Sequence, residues 1–325
     1  MNILYIMGNG FDINIGMKTK YMDFYNFYKT VPSNNNLIIG LKKEIATNIK
    51  NWSDLELAFG KYTPILKNSD DFDNVRDDIV ENFCDYLTEQ EKMLELNKLD
   101  RNVFYGDLSN PEQYLTKDDE VKLNLYKNSF GASTWKINII TFNYTRVIER
   151  MLEDTFQNIL IGSHQNGKVR LENIQHIHGY TNDRTIFGVN DLSQVGNSEF
   201  HMNEEVLEAL IKPGSNEALG HNVDKTCETR IREANVICIF GSSLGDTDNH
   251  WWKLVGEQLR RKIMVVIFQK GEEVKPRSAH KGARHKRNLA KMFLDKTDLD
   301  DSEKQQFIKH IYVGWNTHIF SLLKT

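Results

Sequence analysis

The chain has 325 residues, with 41 Lys and Arg against 45 Asp and Glu and a formal net charge of −4 at pH 7. That length suits about two domains, or one large α/β domain with an insertion. The acidic balance argues against a protein that binds nucleic acid over its whole surface. No apolar run approaches 18 residues and no leader-like segment opens the chain, so we expect neither a membrane span nor a signal peptide. Three widely spaced cysteines predict no disulfide framework and favour the reducing cytoplasm.

The first apolar run, residues 2–7, predicts a buried strand that leads directly into Gly8-Asn9-Gly10. Doubly wound folds bind a pyrophosphate at such a strand–turn–helix junction, because glycines let backbone N–H groups approach the phosphates. The complete GxGxxG fingerprint is broken by Ile13. The pattern therefore fits a tight structural turn equally well.

From residue 30 to 130 the hydrophobic pattern changes to a helical one. Apolar residues recur every four positions, as at Leu37 and Leu41, between polar connectors. This periodicity predicts several amphipathic helices and no strand. We interpret 30–130 as a helical insertion into a core formed by residues 1–29 and 131–325.

The α/β pattern resumes after the insertion. Asn203 is placed to cap a helix that runs through Ile211. Continuous apolar strands alternating with helices predict a doubly wound, mostly parallel sheet of the Rossmann type, covered on both faces. The predicted strands cover residues 137–142, 174–178, 185–187, 236–240 and 263–268.

Polar residues that could bind a ligand or take part in catalysis lie at two of these strands. Asn143 follows the first, and ligands of open α/β sheets bind at the carboxyl ends of strands. An Asn there can orient a sugar hydroxyl or a water, although a local turn or helix cap explains it equally well. His176 and His178 alternate along a strand, so we expect them on one face. A histidine there can act as a base near neutral pH, and without a third ligand nearby we expect no metal.

Two loops of small and polar residues also follow predicted strands. One carries Asn190 and Asp191, and the other carries Gly241, Ser242 and Ser243. Small residues and hydroxyls at a strand-to-helix junction suit phosphate or ribose binding. A simple turn is the alternative for each loop.

The segment 241–245 also matches the G-x-S-x-G nucleophile elbow, with Ser243 at its centre. A serine hydrolase therefore stays open as a rival function. Such an enzyme needs a His that follows the Ser in the chain, and His280 and His310 are the candidates.

A basic stretch lies in residues 275–291. We interpret it as a solvated loop rather than a nucleic-acid site, because no aromatic residues interleave the charges and acidic residues follow it. Its cations are Lys275, Arg277, Lys281, Arg284, Lys286, Arg287 and Lys291. The acidic residues that follow are Asp298, Asp300, Asp301 and Glu303.

Several short motifs occur in a fixed order between residue 3 and about residue 268. They are Gly8-Asn9-Gly10-Phe11-Asp12 with Gly16, Thr19, Tyr21, Asp23 and Phe24; Trp52, Asp54, Leu55 and Glu56; residues 142–145; His176-Ile177-His178-Gly179; residues 187–191; and residues 241–245 followed by Trp251 and Trp252. Together they resemble the AbiH family of bacterial abortive-infection proteins. The resemblance implies a cytoplasmic role in defence against phage. A phage-derived trigger and a homo-oligomer are possible partners, whereas the net charge and the apolar pattern favour neither a nucleic-acid nor a membrane partner.

The same order is similar, more distantly, to the sirtuin catalytic core. That likeness implies a protein that cleaves NAD to nicotinamide and ADP-ribose without a metal, with Asn143 orienting ribose and water and His178 as the base. Phe142 stands in place of the sirtuin Gln, Val189 in place of the Phe-Gly-Glu carboxylate, and the zinc-ribbon cysteines are absent, so protein deacylation is not expected. A nucleotide or ADP-ribose sensor without turnover remains the alternative. The residues expected to hold NAD are Gly8, Asn9, Gly10, Phe11, Asp12, Asn190, Asp191, Gly241, Ser242 and Ser243.

Overall fold

The computed structural model describes residues 1–153, 157–165 and 167–324. A seven-stranded sheet forms its centre, in the order β3-β4-β2-β1-β5-β6-β7. All neighbouring strands are parallel except β3 and β4, which are antiparallel. The strands are β1 (Asn2–Met7), β2 (Trp135–Thr141), β3 (Ile159–His164), β4 (Gly167–His176), β5 (Val236–Phe240), β6 (Met264–Gln269) and β7 (Ile311–Trp315).

Helices cover both faces of the sheet. Successive side chains of β1 enter opposite cores, with Ile3 and Tyr5 in one and Leu4 and Ile6 in the other. The predicted α/β class with a mostly parallel sheet is therefore confirmed. The helices are α1 (Gly10–Asn14), α2 (Tyr21–Tyr28), α3 (Asn36–Thr47), α4 (Leu55–Tyr62), α5 (Ser69–Met93), α6 (Arg101–Ser109), α7 (Lys117–Asn128), α8 (Val147–Met151), α9 (Glu204–Leu210), α10 (Lys212–Ala218), α11 (Val223–Glu233), α12 (Asn249–Gln258), α13 (Ala279–Asp295) and α14 (Asp301–Phe307).

Residues 30–130, all of which the structure describes, contain the five helices α3–α7 and no strand. The helices of this segment divide between two cores. Phe72 of α5 packs with Phe24 of α2 in a separate helical core, whereas Phe104 of α6 and Leu123 of α7 join the core on one face of the sheet. The helical character is as predicted, and the division into domains stays a prediction.

Three differences from the predicted strands are present. Residues 185–187 form no strand, because this stretch leaves the sheet and packs Phe187 into the helical core. β4 begins at Gly167, seven residues before the predicted strand, and ends at His176, two residues before its predicted end. The edge strands β3 and β7 were not predicted at all. The cap at Asn203 is confirmed, since its side chain accepts a hydrogen bond from the Val206 N–H at 3.2 Å.

All three cysteines are buried and none forms a disulfide. Among the described residues, none of the helices combines the length and the apolar character that a membrane span needs.

Candidate functional site

A cavity of about 800 Å³ opens at the carboxyl edge of the sheet. Its floor comes from the segments that follow β1, β2 and β5, and its sides include residues of α2 and the residues leading into α4. Chain order reverses here, since β1 lies between β2 and β5 in the sheet. Open α/β sheets bind their ligands at such a switch point, and the volume is that of a small-molecule site.

Most of the residues predicted to form a site line this one cavity. They are Gly8, Asn9, Gly10, Asp12, Asn143, His178, Gly241, Ser242 and Ser243. The fold thus brings together segments that lie more than 230 positions apart in the chain.

Phe11, Asn190 and Asp191 do not line the cavity, and the prediction that they hold a ligand there is not supported. The ring of Phe11 is buried in the core, where it meets Phe240. Asp191 is exposed and caps a short turn by accepting a hydrogen bond from the Ser193 N–H at 2.9 Å. Asn190 Oδ1 accepts from the backbone N–H of His250 at 3.0 Å, which ties its loop to α12.

The two glycine loops pack directly against each other. The Gly8 N–H donates to the Phe240 carbonyl at 2.9 Å, and the Gly10 N–H donates to the Gly241 carbonyl at 2.8 Å. A Cβ on Gly10 would lie 2.4 Å from the Cα of Gly241, which itself has φ +66°. Glycine is therefore required here for close backbone approach, whatever the cavity binds.

Asn143 lines the cavity and, within the described part of the chain, carries one polar atom without a partner. Its Nδ2 donates to Asp12 Oδ1 at 3.0 Å, and Thr145 Oγ1 donates to Asp12 Oδ2 at 2.6 Å. The side-chain Oδ1 of Asn143 is buried and has no hydrogen-bond partner among the described residues. An unpaired buried acceptor is costly, and a ligand that donates a hydrogen bond would relieve the cost.

Asp12 lies beneath Asn143 in a buried position. Burial raises the pKa of the Asp12 carboxyl to about 7, and the hydrogen bonds from Thr145 and Asn143 offset burial only in part. The carboxyl therefore changes charge near neutral pH.

His176 and His178 have different surroundings. The alternation that would place them together ends at His176, the last residue of β4. His176 Nδ1 lies 2.7 Å from the Asn143 carbonyl oxygen and Nε2 lies 2.6 Å from Glu149 Oε1. Only His178 lines the cavity, with its ring centroid 5.3 Å from that of Phe142. His176 is thus a buried support for Asn143 rather than a second cavity residue.

A buried chain of charged groups stands behind His178. Its Nε2 lies 3.0 Å from Asp248 Oδ1, and Lys212 Nζ lies 2.9 Å from the same oxygen. Lys212 Nζ also lies 2.9 Å from Glu56 Oε2. Glu56 Oε1 in turn accepts from the Tyr144 hydroxyl at 3.1 Å. Five separate segments of the chain therefore meet through one network.

The charges of this network stabilise one another. Burial by itself would lower the pKa of Lys212, but the Asp248 and Glu56 carboxylates outweigh burial and raise it above the ordinary value. Burial likewise opposes ionisation of Asp248, yet Lys212 and then His178 hold the pKa of its carboxyl well below its usual range. Asp248 is therefore an ionised partner for the His178 imidazole at physiological pH.

Sequence reasoning did not identify the partners of His178. Glu56 was noted as part of a motif for another reason, Asp248 lies between the 241–245 motif and Trp251, and Lys212 belongs to no motif. Both carboxylates stand at the start of a helix, α4 for Glu56 and α12 for Asp248, where acidic residues are equally common on the surface.

Aromatic side chains form another part of the cavity wall. Tyr21, Tyr25 and Trp52 line it, and the Tyr25 hydroxyl donates to the Trp52 carbonyl at 2.7 Å. Asp54 stands beside them, and burial, followed by repulsion from Glu56, raises the pKa of its carboxyl to about 6. The cavity thus offers flat apolar surface and ionisable groups together, which suits a polar ligand that contains a ring.

Two other kinds of site were considered, a metal site and a serine-hydrolase site. Among the described residues, no three His, Cys, Asp or Glu side chains are grouped as metal ligands. Ser243 lines the cavity, but neither His280 nor His310 does. The serine-hydrolase alternative therefore lacks the histidine that it needs.

Fold and site together define an α/β protein with a ligand-sized cleft at the carboxyl edge of a mostly parallel sheet. Residues 4–269 match the family model described as Bacteriophage abortive infection AbiH. Because the match spans well over half of the chain, the protein belongs to the AbiH family. This membership supports a role in the abortive infection of bacteria by phage. No curated protein matches the chain.

Proposed function

We propose that the protein is an NAD glycohydrolase that depletes NAD in the cytoplasm of a phage-infected cell. The observation that carries the proposal is the single cleft in which the glycine loops after β1 and β5 meet Asn143 and His178. The sirtuin-like resemblance implies an NAD site in which glycine loops, an Asn and a His follow in this chain order, and it supports the proposal. Family membership supports the biological role, and the cleft supports the chemistry.

The cleft fits NAD in three respects. Its volume suits a dinucleotide, and the Ser242 and Ser243 hydroxyls that line it are possible donors to phosphates. The aromatic wall around Tyr25 and Trp52 offers a surface for a base. The unpaired Asn143 Oδ1 is an acceptor for a ribose hydroxyl or a water.

The proposed reaction is hydrolysis of the bond between the nicotinamide nitrogen and ribose C1′. The electron pair of that bond stays on the nitrogen and neutralises the ring, while the ribose passes through a cationic oxocarbenium-like state. Water then adds its oxygen to C1′ and loses one proton. The enzyme must position the ribose and water, stabilise the developing charge and accept the proton.

The residues of the cleft divide these tasks. Asn143 orients the ribose or the water, and Asp12 fixes the Asn143 side chain from below. His178 accepts the proton, directly or through a ribose hydroxyl. The nearby carboxylate of Asp248 orients the imidazole and stabilises its protonated form.

A sensor that binds NAD or ADP-ribose without cleaving it is the second candidate. The position of Asp248 favours it, because a carboxylate 3.0 Å from His178 Nε2 keeps that nitrogen occupied with a proton. His178 can then act as a base only through its other ring nitrogen.

Nicotinamide release separates the two candidates. Purified protein is incubated with NAD, alone and with lysate of phage-infected cells, and NAD binding is measured in parallel by calorimetry. Release by wild type but not by His178→Ala supports the enzyme. Tight NAD binding without release, even with infected lysate, assigns the sensor role instead. Absence of both binding and release removes NAD from the proposal.

A further inference from the structure

We propose that the exposed face of α13 binds the phosphate backbone of a double-stranded nucleic acid. This surface is separate from the cleft and does not depend on NAD chemistry. It lies within the stretch that the sequence analysis interpreted as a solvated loop, but residues 279–295 form a helix of 17 residues. A helix fixes the spacing of charges that a loop would leave free.

Four cations share one side of this helix. Lys281, Arg284, Arg287 and Lys291 are all exposed. At 100° per residue they fall within about a third of the helix circumference and extend over about 15 Å. Buried residues such as Leu289 and Phe293 lie on the opposite side and attach the helix to the core. The packing of α13 thus points this row of charges at solvent.

The acidic residues expected to balance these charges are engaged elsewhere. Asp298 lies 3.0 Å from Lys253, and Glu303 pairs with Arg260 at 2.7 Å. Asp300 accepts from the Glu303 N–H and caps α14. Asp295, at the end of α13, lies 3.3 Å from Lys304.

Asp295 is the acidic residue of α13 on the same side as this row, four residues after Lys291, and its carboxylate lies 3.3 Å from Lys304. None of the four takes part in an ion pair within the described residues. Residues 275–294 contain no Asp or Glu, and Asp301 and the exposed Glu272 and Glu273 are the nearby acids without an assigned cation. Unpaired Lys and Arg in a row are the footprint of polyanion binding.

The chemistry of this face indicates a duplex rather than a single strand. Single strands are held by aromatic side chains that stack on bases. The exposed face of α13 carries none, and Trp315, beside the helix, is already stacked on His285 at 4.8 Å between ring centroids. Regularly spaced phosphates of a duplex are the ligands that such a row of cations fits.

Fluorescence anisotropy with a labelled 20-base-pair duplex of arbitrary sequence tests this inference between 50 and 200 mM salt. Four phosphate contacts predict a log–log salt slope near −3.6, so affinity should fall about 100-fold across that range. The variant with Lys281→Gln, Arg284→Gln, Arg287→Gln and Lys291→Gln should bind at least about tenfold more weakly at 50 mM and show a flatter slope. Circular dichroism confirms that the fold is retained.

A second quadruple variant removes the same net charge from another surface. It carries Lys43→Gln, Lys50→Gln, Lys61→Gln and Lys67→Gln, at exposed positions of the α3–α5 region, and it should bind like wild type. Equal loss in both variants, or no duplex binding by wild type at 50 mM, overturns the proposal. Tighter binding to single strands, or to phosphatidylserine vesicles in place of the duplex, also overturns it. Parallel titrations with duplex DNA and duplex RNA show which of the two nucleic acids the surface binds more tightly.

Discussion

Asn143 and Asp12 lie 131 positions apart in the chain and are joined by a 3.0 Å hydrogen bond in the buried floor of the cleft. The bond ties the loop after β2 to the helix after β1. Because the amide nitrogen of Asn143 is bound to the carboxylate, its oxygen is the atom left for a ligand. The protonation state of Asp12 is thereby linked to the atom that the proposed chemistry uses.

We predict that Asp12 makes folding less favourable as the pH rises. Burial raises the pKa of its carboxyl from its ordinary value to about 7, so the folded state holds the proton more tightly than the unfolded state. Its stabilising contribution is complete below about pH 4 and is lost as the pH rises to about 7. A shift of about three units corresponds to about 4 kcal/mol.

Urea unfolding between pH 4.5 and 7.5 checks this prediction. Asp12→Asn should flatten the pH dependence of the unfolding free energy relative to wild type. Asp54→Asn is the matched comparison, since burial also raises the pKa of Asp54, to about 6, and it should flatten a lower part of the same range. Parallel profiles for wild type and Asp12→Asn would show that Asp12 titrates normally.

We predict that Gly10→Ala is destabilising and weakens ligand binding. The new Cβ would lie 2.4 Å from the Cα of Gly241, and the other nearest atoms also belong to the Gly241 backbone, which cannot move aside as the end of a flexible side chain could. Overpacking of this kind costs about 1–3 kcal/mol. Urea midpoints measure the effect.

Gly106→Ala is the control for this substitution. Gly106 lies within α6, and a Cβ there meets no atom within 4 Å. Alanine is favoured over glycine in a helix by about 0.5–1 kcal/mol, so this variant should gain stability. If both variants shift in the same direction, loop packing does not explain the glycine at position 10.

The sequence predicted correctly those strands that can be recognised from their own residues alone. β1, β5 and β6 are continuous apolar runs because both of their faces are buried, and that pattern needs no knowledge of distant residues. Residues 185–187 are equally apolar, but their burial comes from helices that pack around Phe187. Periodicity reports burial and cannot say which element supplies it.

The candidate site, like the sheet, was predictable only where local sequence patterns identify its residues. Residues at strand ends, such as Asn143 and Gly241, could be placed together because parallel strands share a carboxyl edge. Lys212 could not, since a lysine at the start of a short helix is usually exposed. Its position is set by the packing of α10 against α9 and α11, which no local pattern encodes.

We predict that Lys212→Met strongly destabilises the fold. Its ammonium is buried between Asp248 and Glu56, and removing it leaves two buried carboxylates without a cation. Breaking a buried pair in this way costs about 3–5 kcal/mol. Chemical denaturation measures the loss.

Lys253→Met provides the contrast. Lys253 pairs with Asp298 at 3.0 Å, but both side chains are largely exposed to solvent. Such a pair contributes about 0–1 kcal/mol, so the variant should unfold close to wild type. A small effect at Lys212 would mean that water or another group compensates the carboxylates.

The most direct prediction concerns turnover. If the protein cleaves NAD, His178→Ala should lower nicotinamide release by about 10²–10⁴-fold, the usual contribution of a positioned acid–base group. Asn143→Ala should be impaired as severely, because a misplaced ribose or water forfeits the advantage of orientation. Both variants should keep the circular dichroism of wild type.

The choice of control follows from the structure. His176 is unsuitable, since its ring contacts the Asn143 carbonyl and Glu149, and His176→Ala should lower turnover by releasing Asn143. His221 is exposed and does not line the cleft, so His221→Ala should match wild type. Release is measured with and without lysate of phage-infected cells, because constitutive cleavage of NAD would poison the host. Equal release by wild type and His178→Ala under either condition would refute His178 as the base.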